Sequence, residues 1–241
     1  MAIKSCFSVV GYHNSGKTTL ISRMIPLIRE KGFTVSTIKH AKSLSFKDSD
    51  ILFQSGSEET IAVADGFSLM YFKLFDLGLL IDLIKSDILV IEGFKKGPFP
   101  KIVKGRNLGE VEGLVDELTL ALVLDEVKDR DFNGIPVFLS EEIKDIVDLA
   151  LNKSFPPLPL LNCGGCGFKD CYDMAKAIFM GERKYSDCVA LPSKVILKVN
   201  GFRIPLKPFV EEIFMVVNAA LVNTLKSRPE GIKEIELNIR L

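Results

Sequence analysis

The chain has 241 residues, 47% of them hydrophobic, so it is long enough to bury the core of one large domain or of one domain with an appendage. Its 31 basic residues balance its 31 acidic residues, which argues against a global electrostatic field that would attract nucleic acid or an anionic membrane. No charged-then-apolar signal segment begins the sequence, and we therefore expect a cytoplasmic protein whose partners include neither nucleic acid nor membrane.

The first chemical signal in chain order is a phosphate-binding loop of the pattern G-x-x-x-x-G-K-[ST] at residues 11–18. An apolar run predicts a buried strand over residues 6–10, and apolar residues in helical spacing predict a helix over residues 17–31. We expect Lys17 to hold the β- and γ-phosphates and the Thr18 hydroxyl to ligate Mg²⁺, whereas a turn that only joins strand to helix would require neither residue. The residues predicted to bind nucleotide here are Gly11, Asn14, Ser15, Gly16, Lys17, Thr18 and Thr19.

The next segments continue the alternation of strand and helix. β-Branched residues predict a strand over residues 34–39, which ends at Lys39 and His40. Open α/β sheets contact ligands at such strand ends, although a solvated strand end explains these two residues equally well. Residues 51–59 have weak helical character, and residues 61–72 predict one or two strands separated by Asp65-Gly66.

A second chemical signal is the apolar run of residues 88–91, which ends at Glu92. Such a short run predicts a strand buried on both faces, and it places Glu92 at the sheet edge that carries the phosphate loop. Carboxylates in that position usually contact Mg²⁺ or its water, so Lys17 and Glu92 are the candidate catalytic residues. Strands over residues 118–124 and 135–139 and a helix over residues 141–151 complete an order typical of an α/β fold with a mostly parallel sheet. The N-K-x-D guanine-recognition motif is missing, so these residues do not distinguish ATP from GTP.

Several segments together form a more specific pattern than the loop alone: residues 11–20, Thr37-Ile38-Lys39-His40, Lys47-Asp48-Ser49 with Gly56, and residues 90–95 with Pro100-Lys101-Ile102. Through them, residues 1 to about 150 resemble the molybdopterin-guanine dinucleotide biosynthesis protein B family of P-loop proteins. The resemblance implies a GTP-binding, slowly hydrolysing protein that assists attachment of a nucleotide to molybdopterin, and it makes Lys39, His40 and Asp48 candidate site residues. The implied partners are the nucleotide, molybdopterin, and a nucleotidyltransferase or a molybdenum or tungsten enzyme, and a homodimer is compatible with the sequence. Many family members carry further His and Asp residues where this chain has residues 41–46, which contain neither.

Four of the five cysteines, Cys163, Cys166, Cys171 and Cys188, follow a proline-rich stretch at residues 154–160 that predicts a stiff connector. Without an export signal, this grouping indicates a metal site rather than disulfides. A structural zinc ion is the alternative to a cluster, but zinc sites more often use two separated C-x2-C pairs. The asymmetric C-x2-C-x4-C-x16-C spacing favours an iron–sulfur cluster. The segment resembles the four-cysteine [4Fe–4S] domain of electron-transport complex B subunits and corrinoid iron–sulfur proteins.

The last segment predicts a ββαβ unit for capping or docking. Asn200-Gly201 indicates a hairpin between strands at residues 195–199 and 202–206, Pro208 opens a helix, and residues 235–241 alternate as a half-buried strand does. The predicted domains are therefore a GTP-binding domain at residues 1–153, a linker at 154–160, an iron–sulfur domain at 161–192 and the C-terminal unit at 193–241.

Our interpretation of the sequence is a GTP-binding protein of molybdenum or tungsten cofactor biosynthesis that uses Mg²⁺ and carries a [4Fe–4S] cluster. The alternative is an iron–sulfur electron-transfer or docking adaptor for a redox enzyme, in which nucleotide binding only regulates. Redox activity with a physiological partner would distinguish the two.

Overall fold

The computed structural model describes residues 3–41, 48–72, 76–191, 194–199, 202–204, 206, 208–229 and 231–239. The chain forms two compact units, Met1–Pro157 and Leu158–Leu241. Within the described residues, no helix is both long enough and apolar enough to cross a membrane.

The first unit alternates strands and helices over most of its length. In chain order its elements are β1 (Ser5–Val10), α1 (Lys17–Glu30), β2 (Val35–Lys39), α2 (Asp48–Gln54), β3 (Glu59–Ala64), β4 (Phe67–Phe72), α3 (Leu77–Asp82), β5 (Ile88–Glu92), β6 (Lys101–Gly105), α4 (Leu108–Val111), β7 (Thr119–Leu124), β8 (Asp131–Phe132), β9 (Ile135–Leu139) and α5 (Ile143–Lys153).

Seven of these strands form one sheet in the order β2-β5-β1-β6-β7-β9-β8. The first six run parallel to their neighbours, and only β8 pairs antiparallel, with β9. The predicted α/β fold with a mostly parallel sheet is therefore confirmed. Because parallel strands end at the same edge, the ends of β1, β2, β5, β6, β7 and β9 all face the phosphate loop side of the sheet.

The centre of the sheet is the core of this unit. Every residue of β1 is buried, as the short apolar run predicts for a strand between two neighbours. The helix α1 turns Leu20, Ile21, Met24 and Ile28 inward, and it packs on the sheet and on α5. The phosphate loop is thus anchored between a fully buried strand and a helix held on both sides.

The strand β6 was not predicted from the sequence. Lys101 and Lys104 interrupt its apolar pattern, yet all five of its residues are buried. Each lysine is neutralised by a carboxylate distant in sequence: Lys101 Nζ lies 2.6 Å from Asp116 Oδ2, and Lys104 Nζ lies 2.6 Å from Asp125 Oδ1. Lysine is rarely buried without a partner, so the pattern of β6 is explicable only once these pairs are known.

Two predicted strands at residues 61–72 form a separate hairpin of β3 and β4, which pair in antiparallel register from Glu59↔Phe72 to Ala64↔Phe67. The turn is Asp65-Gly66, and Gly66 has a φ of 89°, a conformation that glycine adopts without strain. The preceding helix α2 packs on β3, and the rings of Phe53 and Tyr71 lie 5.5 Å apart.

The second unit contains α6 (Cys171–Phe179), β10 (Leu197–Val199), β11 (Phe202–Ile204) and α7 (Pro208–Asn223). The predicted hairpin is present, because Val199 pairs with Phe202 across Asn200-Gly201, two residues that lie outside the described residues. The strand predicted at residues 235–241 is not seen in its described part: residues 235–239 have no regular secondary structure, Leu237 and Ile239 are exposed, and residues 240 and 241 lie outside the described residues. An alternating pattern supplies one apolar face, but a strand also needs a partner for its backbone groups, and none pairs with this segment among the described residues.

The proline-rich stretch belongs partly to each unit, and the boundary lies after Pro157. Phe155 forms an isolated antiparallel bridge with Cys6, whose N–H donates to the Phe155 carbonyl at 2.9 Å. Leu158 begins the second unit and is buried. The stretch predicted as a connector is therefore packed at both of these positions.

Candidate nucleotide site and four-cysteine site

The phosphate loop joins β1 to α1 and has two residues in the left-handed region, Asn14 with φ 57° and Gly16 with φ 85°. At position 11, glycine is required because neighbouring atoms leave no space for a side chain, and not because of its φ angle. A Cβ added there would lie 2.3 Å from the Lys104 carbonyl oxygen and 2.5 Å from the Ser15 hydroxyl. The neighbouring strand β6 therefore fixes the start of the loop and leaves no room for a side chain.

Lys17 is held by the loop itself. Its ammonium donates to the Tyr12 carbonyl at 2.5 Å and lies 3.4 Å from the Ser15 hydroxyl. Desolvation lowers the pKa of Lys17; the negative charge of Glu92 opposes this shift, whereas Lys95 and Lys39 reinforce it. A cation in this environment gains from an anionic ligand, because the ligand replaces weak carbonyl contacts with full charge neutralisation.

Thr18 and Glu92 meet at the edge of the sheet, although 74 residues separate them in sequence. Thr18 Oγ1 lies 3.0 Å from Glu92 Oε1 and 2.9 Å from Oε2. Lys39, at the end of β2, donates to Glu92 Oε1 at 3.1 Å and to Thr18 Oγ1 at 3.0 Å. An ammonium thus lies where a hydroxyl and a carboxylate converge, and these are hard oxygen donors of the kind that Mg²⁺ prefers.

The other predicted site residues outside the loop are His40, Thr19 and Asp48. The His40 N–H donates to the Glu92 carbonyl at 2.9 Å, and its ring centroid lies 4.8 Å from that of Phe94. Thr19 is exposed on α1. Asp48 begins α2, but its side chain lies outside the described residues. Among the contacts described for these residues, the one to Glu92 comes from the backbone of His40.

One further lysine near the loop was not singled out from the sequence. Lys95 Nζ lies 4.2 Å from the centroid of the Tyr12 ring, a cation–π contact between the segment after β5 and the phosphate loop. Its charge also lowers the pKa of Lys17. The loop therefore lies within the field of three ammonium groups, those of Lys17, Lys39 and Lys95.

A second group missed from the sequence lies on the other side of the loop. The nearly buried Lys104 donates to the Gly105 carbonyl at 2.9 Å and to Asp125 Oδ1 at 2.6 Å. The Ser140 hydroxyl donates to the same Asp125 oxygen at 3.0 Å. Burial would raise the pKa of Asp125, but the hydrogen bonds from Lys104 and Ser140 outweigh it, so the net pKa is lowered. Asp125 ends the apolar run of β7 as Glu92 ends that of β5, and this shared pattern is the signal that could have identified it.

The four clustered thiols line one pocket of the second unit, together with Leu161 and Met174. None of them is in a disulfide; Cys171 and Cys188 are buried, Cys166 is half-buried and Cys163 is exposed. Within the part of the chain that the structure describes, no three His, Cys, Asp or Glu side chains are grouped closely enough to hold a single metal ion, whereas in a four-iron cluster each thiolate binds a different iron atom.

Burial is the main cause that raises the pKa of both Cys171 and Cys188, and the neighbouring thiols raise it further. The Asn162 N–H, 3.4 Å from Cys171 Sγ, acts in the opposite direction because it stabilises the thiolate. Four sulfurs and an N–H directed at one of them are the donor set that an iron–sulfur cluster uses.

The backbone around these cysteines is tightly built. A Cβ added to Gly165 would lie 2.6 Å from Val189 Cγ2, and Gly167 has a φ of 87°. Asp170 caps the helix α6, because its carboxylate accepts hydrogen bonds from Tyr172 N at 2.9 Å and Asp173 N at 3.0 Å. Glycine and the cap together bring the loop of Cys163 and Cys166 up against the start of α6, where Cys171 lies.

Comparison with known proteins gives two separate family matches. The family described as "Molybdopterin guanine dinucleotide synthesis protein B" matches residues 6–125, and a family for an Fe-S cluster segment matches residues 158–190. The first match therefore contains the phosphate loop, Lys39, Glu92 and Asp125. The second contains all four clustered cysteines.

Individual relatives agree with these matches. A molybdopterin-guanine dinucleotide biosynthesis adapter protein of Methanocaldococcus jannaschii is 30% identical over an alignment of 245 positions, gaps included, that covers 96% of each chain. A second adapter protein, of Bacillus subtilis, is 32% identical over 56% of this chain and 84% of its own length. The crystal structure of Bacillus subtilis MobB superposes with a TM-score of 0.53 at 30% identity, covering 62% of this chain and 98% of that one.

Proposed function

Because the chain belongs to the molybdopterin-guanine dinucleotide biosynthesis protein B family, we propose that its phosphate loop binds GTP with Mg²⁺ in support of guanine nucleotide attachment to molybdopterin. One observation carries the proposal. Thr18, Glu92 and Lys39, from three separate elements, converge within hydrogen-bond distance at the end of β1. A structural turn would not need to bring a hydroxyl and a carboxylate together there.

Each residue of the site has its own role in this proposal. The loop backbone and the start of α1 direct N–H groups at the phosphates. Lys17 exchanges the Tyr12 carbonyl for phosphate oxygens, and Lys39 leaves the Thr18–Glu92 pair to neutralise phosphate charge. Thr18 and Glu92 would hold Mg²⁺, directly or through water, and the bound metal would neutralise charge on the phosphates.

The four-cysteine pocket supports a second part of the proposal, a [4Fe–4S] cluster held by Cys163, Cys166, Cys171 and Cys188. The pocket offers four thiols and a hydrogen bond to sulfur from Asn162. We propose that this unit docks the nucleotide-binding unit on its partner, a nucleotidyltransferase or a molybdenum or tungsten enzyme. The relatives from Methanocaldococcus jannaschii and Bacillus subtilis are both named adapter proteins, which favours a role with a partner over that of an independent enzyme.

Titration calorimetry with GTP and Mg²⁺ on Lys17→Ala and Lys31→Ala tests the nucleotide site. Lys31 follows the same helix, but its ammonium pairs with Asp148 at the surface, 2.6 Å away. We expect Lys17→Ala to weaken GTP and tripolyphosphate binding at least about tenfold, because the lysine acts on the phosphates, and Lys31→Ala to bind as the wild type does. Equal affinities of Lys17→Ala and wild type for GTP would overturn the proposal.

A further inference from the structure

We propose that Asp125 recognises the guanine base of the nucleotide. The proposal rests on the nucleotide site proposed above and identifies the residue that selects the base. It also explains how a chain without an N-K-x-D motif can distinguish guanine from adenine.

Asp125 follows β7, two strands away from β1 in the sheet. The group of Thr18, Lys39 and Glu92 lies on the β5 and β2 side of β1, so the metal end of a triphosphate belongs on that side. The remainder of a bound nucleotide extends along the sheet edge to the other side, over β6 and β7. Neighbouring strands are about 4.8 Å apart, which places the end of β7 roughly 10 Å from that of β1, a distance that suits a base attached to phosphates in the loop.

The Asp125 carboxylate is held on one of its two oxygens. Lys104 Nζ and the Ser140 hydroxyl both donate to Oδ1, and the Asp125 N–H donates to the Arg106 carbonyl at 3.1 Å. Contacts from β6, from the segment after β9 and from its own backbone therefore fix the side chain, yet 52% of it is exposed. Among the contacts described for this carboxylate, none ends on Oδ2, which leaves that oxygen for a ligand.

The hydrogen-bonding edge of guanine is complementary to a carboxylate. Guanine presents two adjacent donors, the N1–H and the 2-amino group, and the remaining Oδ2 of an ionised Asp125 can accept from them while Oδ1 stays bound to Lys104 and Ser140. The lowered pKa of Asp125 keeps the carboxylate in this acceptor form. Adenine presents an acceptor, N1, at the same edge and would leave the carboxylate unpaired. Xanthine has a carbonyl in place of the 2-amino group, so a carboxylate disfavours it and an amide favours it.

Lys104 connects this residue to the phosphate loop. Its ammonium pairs with Asp125, its Cε would lie 3.5 Å from a Cβ added at Gly16, and its carbonyl oxygen, with the Ser15 hydroxyl, excludes a side chain at Gly11. Lys104 is thus a positioning residue that keeps the carboxylate at a fixed distance from the phosphates.

The test uses the full chain, GTP, xanthosine triphosphate and inorganic tripolyphosphate. For Asp125→Asn, we expect GTP affinity to fall roughly 10- to 100-fold, since a hydrogen bond to a charged acceptor is worth about that factor. Xanthosine triphosphate affinity should rise above that of the wild type, because the amide donates to the carbonyl. Tripolyphosphate affinity should stay unchanged, which shows that the loop is intact. Glu126→Gln, the same change on the next and exposed residue, should alter none of the three.

Two results would overturn the inference while leaving the nucleotide site in place. One is wild-type GTP affinity in Asp125→Asn. The other is an equal loss of GTP and tripolyphosphate affinity, which would mean that Asp125 acts only through the loop. Failure of the wild type to bind GTP, or GTP affinity unaffected by Lys17→Ala, would instead contradict the proposed function itself, so the two failures are distinguishable.

Discussion

Thr18 Oγ1 lies within 3.0 Å of both carboxylate oxygens of Glu92, and the two residues come from elements that are adjacent only in the folded sheet. Thr18 belongs to the first turn of α1, and Glu92 ends β5, the strand beside β1. This contact joins the phosphate loop to a carboxylate that the loop sequence does not contain, and the first prediction depends on it.

Glu92→Gln should weaken Mg²⁺-dependent GTP binding roughly 10- to 100-fold, because the amide keeps the shape of the side chain but removes its negative charge beside the proposed Mg²⁺ position. Calorimetry with Mg²⁺ and again with excess chelator measures the metal-dependent part. Glu30→Gln, on the exposed end of α1, is the matched control and should have no effect. Equal Mg²⁺ dependence in Glu92→Gln and wild type would remove Glu92 from the metal site.

Gly11→Ala should lower the free energy of unfolding by about 1–3 kcal/mol and weaken tripolyphosphate binding. The added methyl group would collide with the Lys104 carbonyl and the Ser15 hydroxyl, so either the loop or β6 must move. Urea unfolding measures the stability change. Gly113→Ala is the control, since an added Cβ there meets nothing within 4 Å, and it should change stability by less than about 0.5 kcal/mol.

Asp87→Asn should destabilise the protein at pH 7, and the difference from wild type should shrink as the pH falls below about 4. The Thr34 N–H, the Lys4 ammonium and the Thr34 hydroxyl bind the Asp87 carboxylate and lower its pKa in the folded state. The unfolded chain therefore binds this proton more readily, so the stabilisation is complete above the unfolded pKa and is lost as the carboxylate is protonated.

Urea unfolding of wild type and Asp87→Asn at pH 7 and pH 3 measures this difference. Asp148→Asn removes an exposed ion pair with Lys31 and should change stability little at either pH. A destabilisation by Asp87→Asn of the same size at both pH values would show that the charge of Asp87 is not the cause.

Cys171→Ala should remove the broad visible absorption and the iron and sulfide of anaerobically prepared protein, whereas Cys6→Ala should retain all three. Cys171 lines the four-thiol pocket, while Cys6 is fully buried in β1, where burial raises its pKa and keeps it a thiol. Metal and sulfide analysis with an absorption spectrum provides the measurement. Colourless wild-type protein with stoichiometric zinc would contradict the cluster assignment.

The sequence alone determined the features that depend on short stretches of chain. The phosphate loop was evident because its glycines, Lys17 and Thr18 lie within the eight residues 11–18. Glu92 was evident because an apolar run ends there. The hairpin at Asp65-Gly66 and the cysteine spacing are equally local. Neighbouring residues fix the backbone conformation or the spacing of the cysteines in each of these cases, so no knowledge of distant contacts was needed.

Only the tertiary structure decided the features that depend on distant partners. The strand β6 was missed because its two lysines look exposed until Asp116 and Asp125, 15 and 21 residues away, are placed beside them. The alternating segment at residues 235–241 shows the converse, since it has a strand pattern but its described part, residues 235–239, has no partner strand among the described residues. Burial of a charge and pairing of a strand both require partner groups from another part of the chain. A local sequence pattern cannot show whether those groups lie beside the segment in the folded protein.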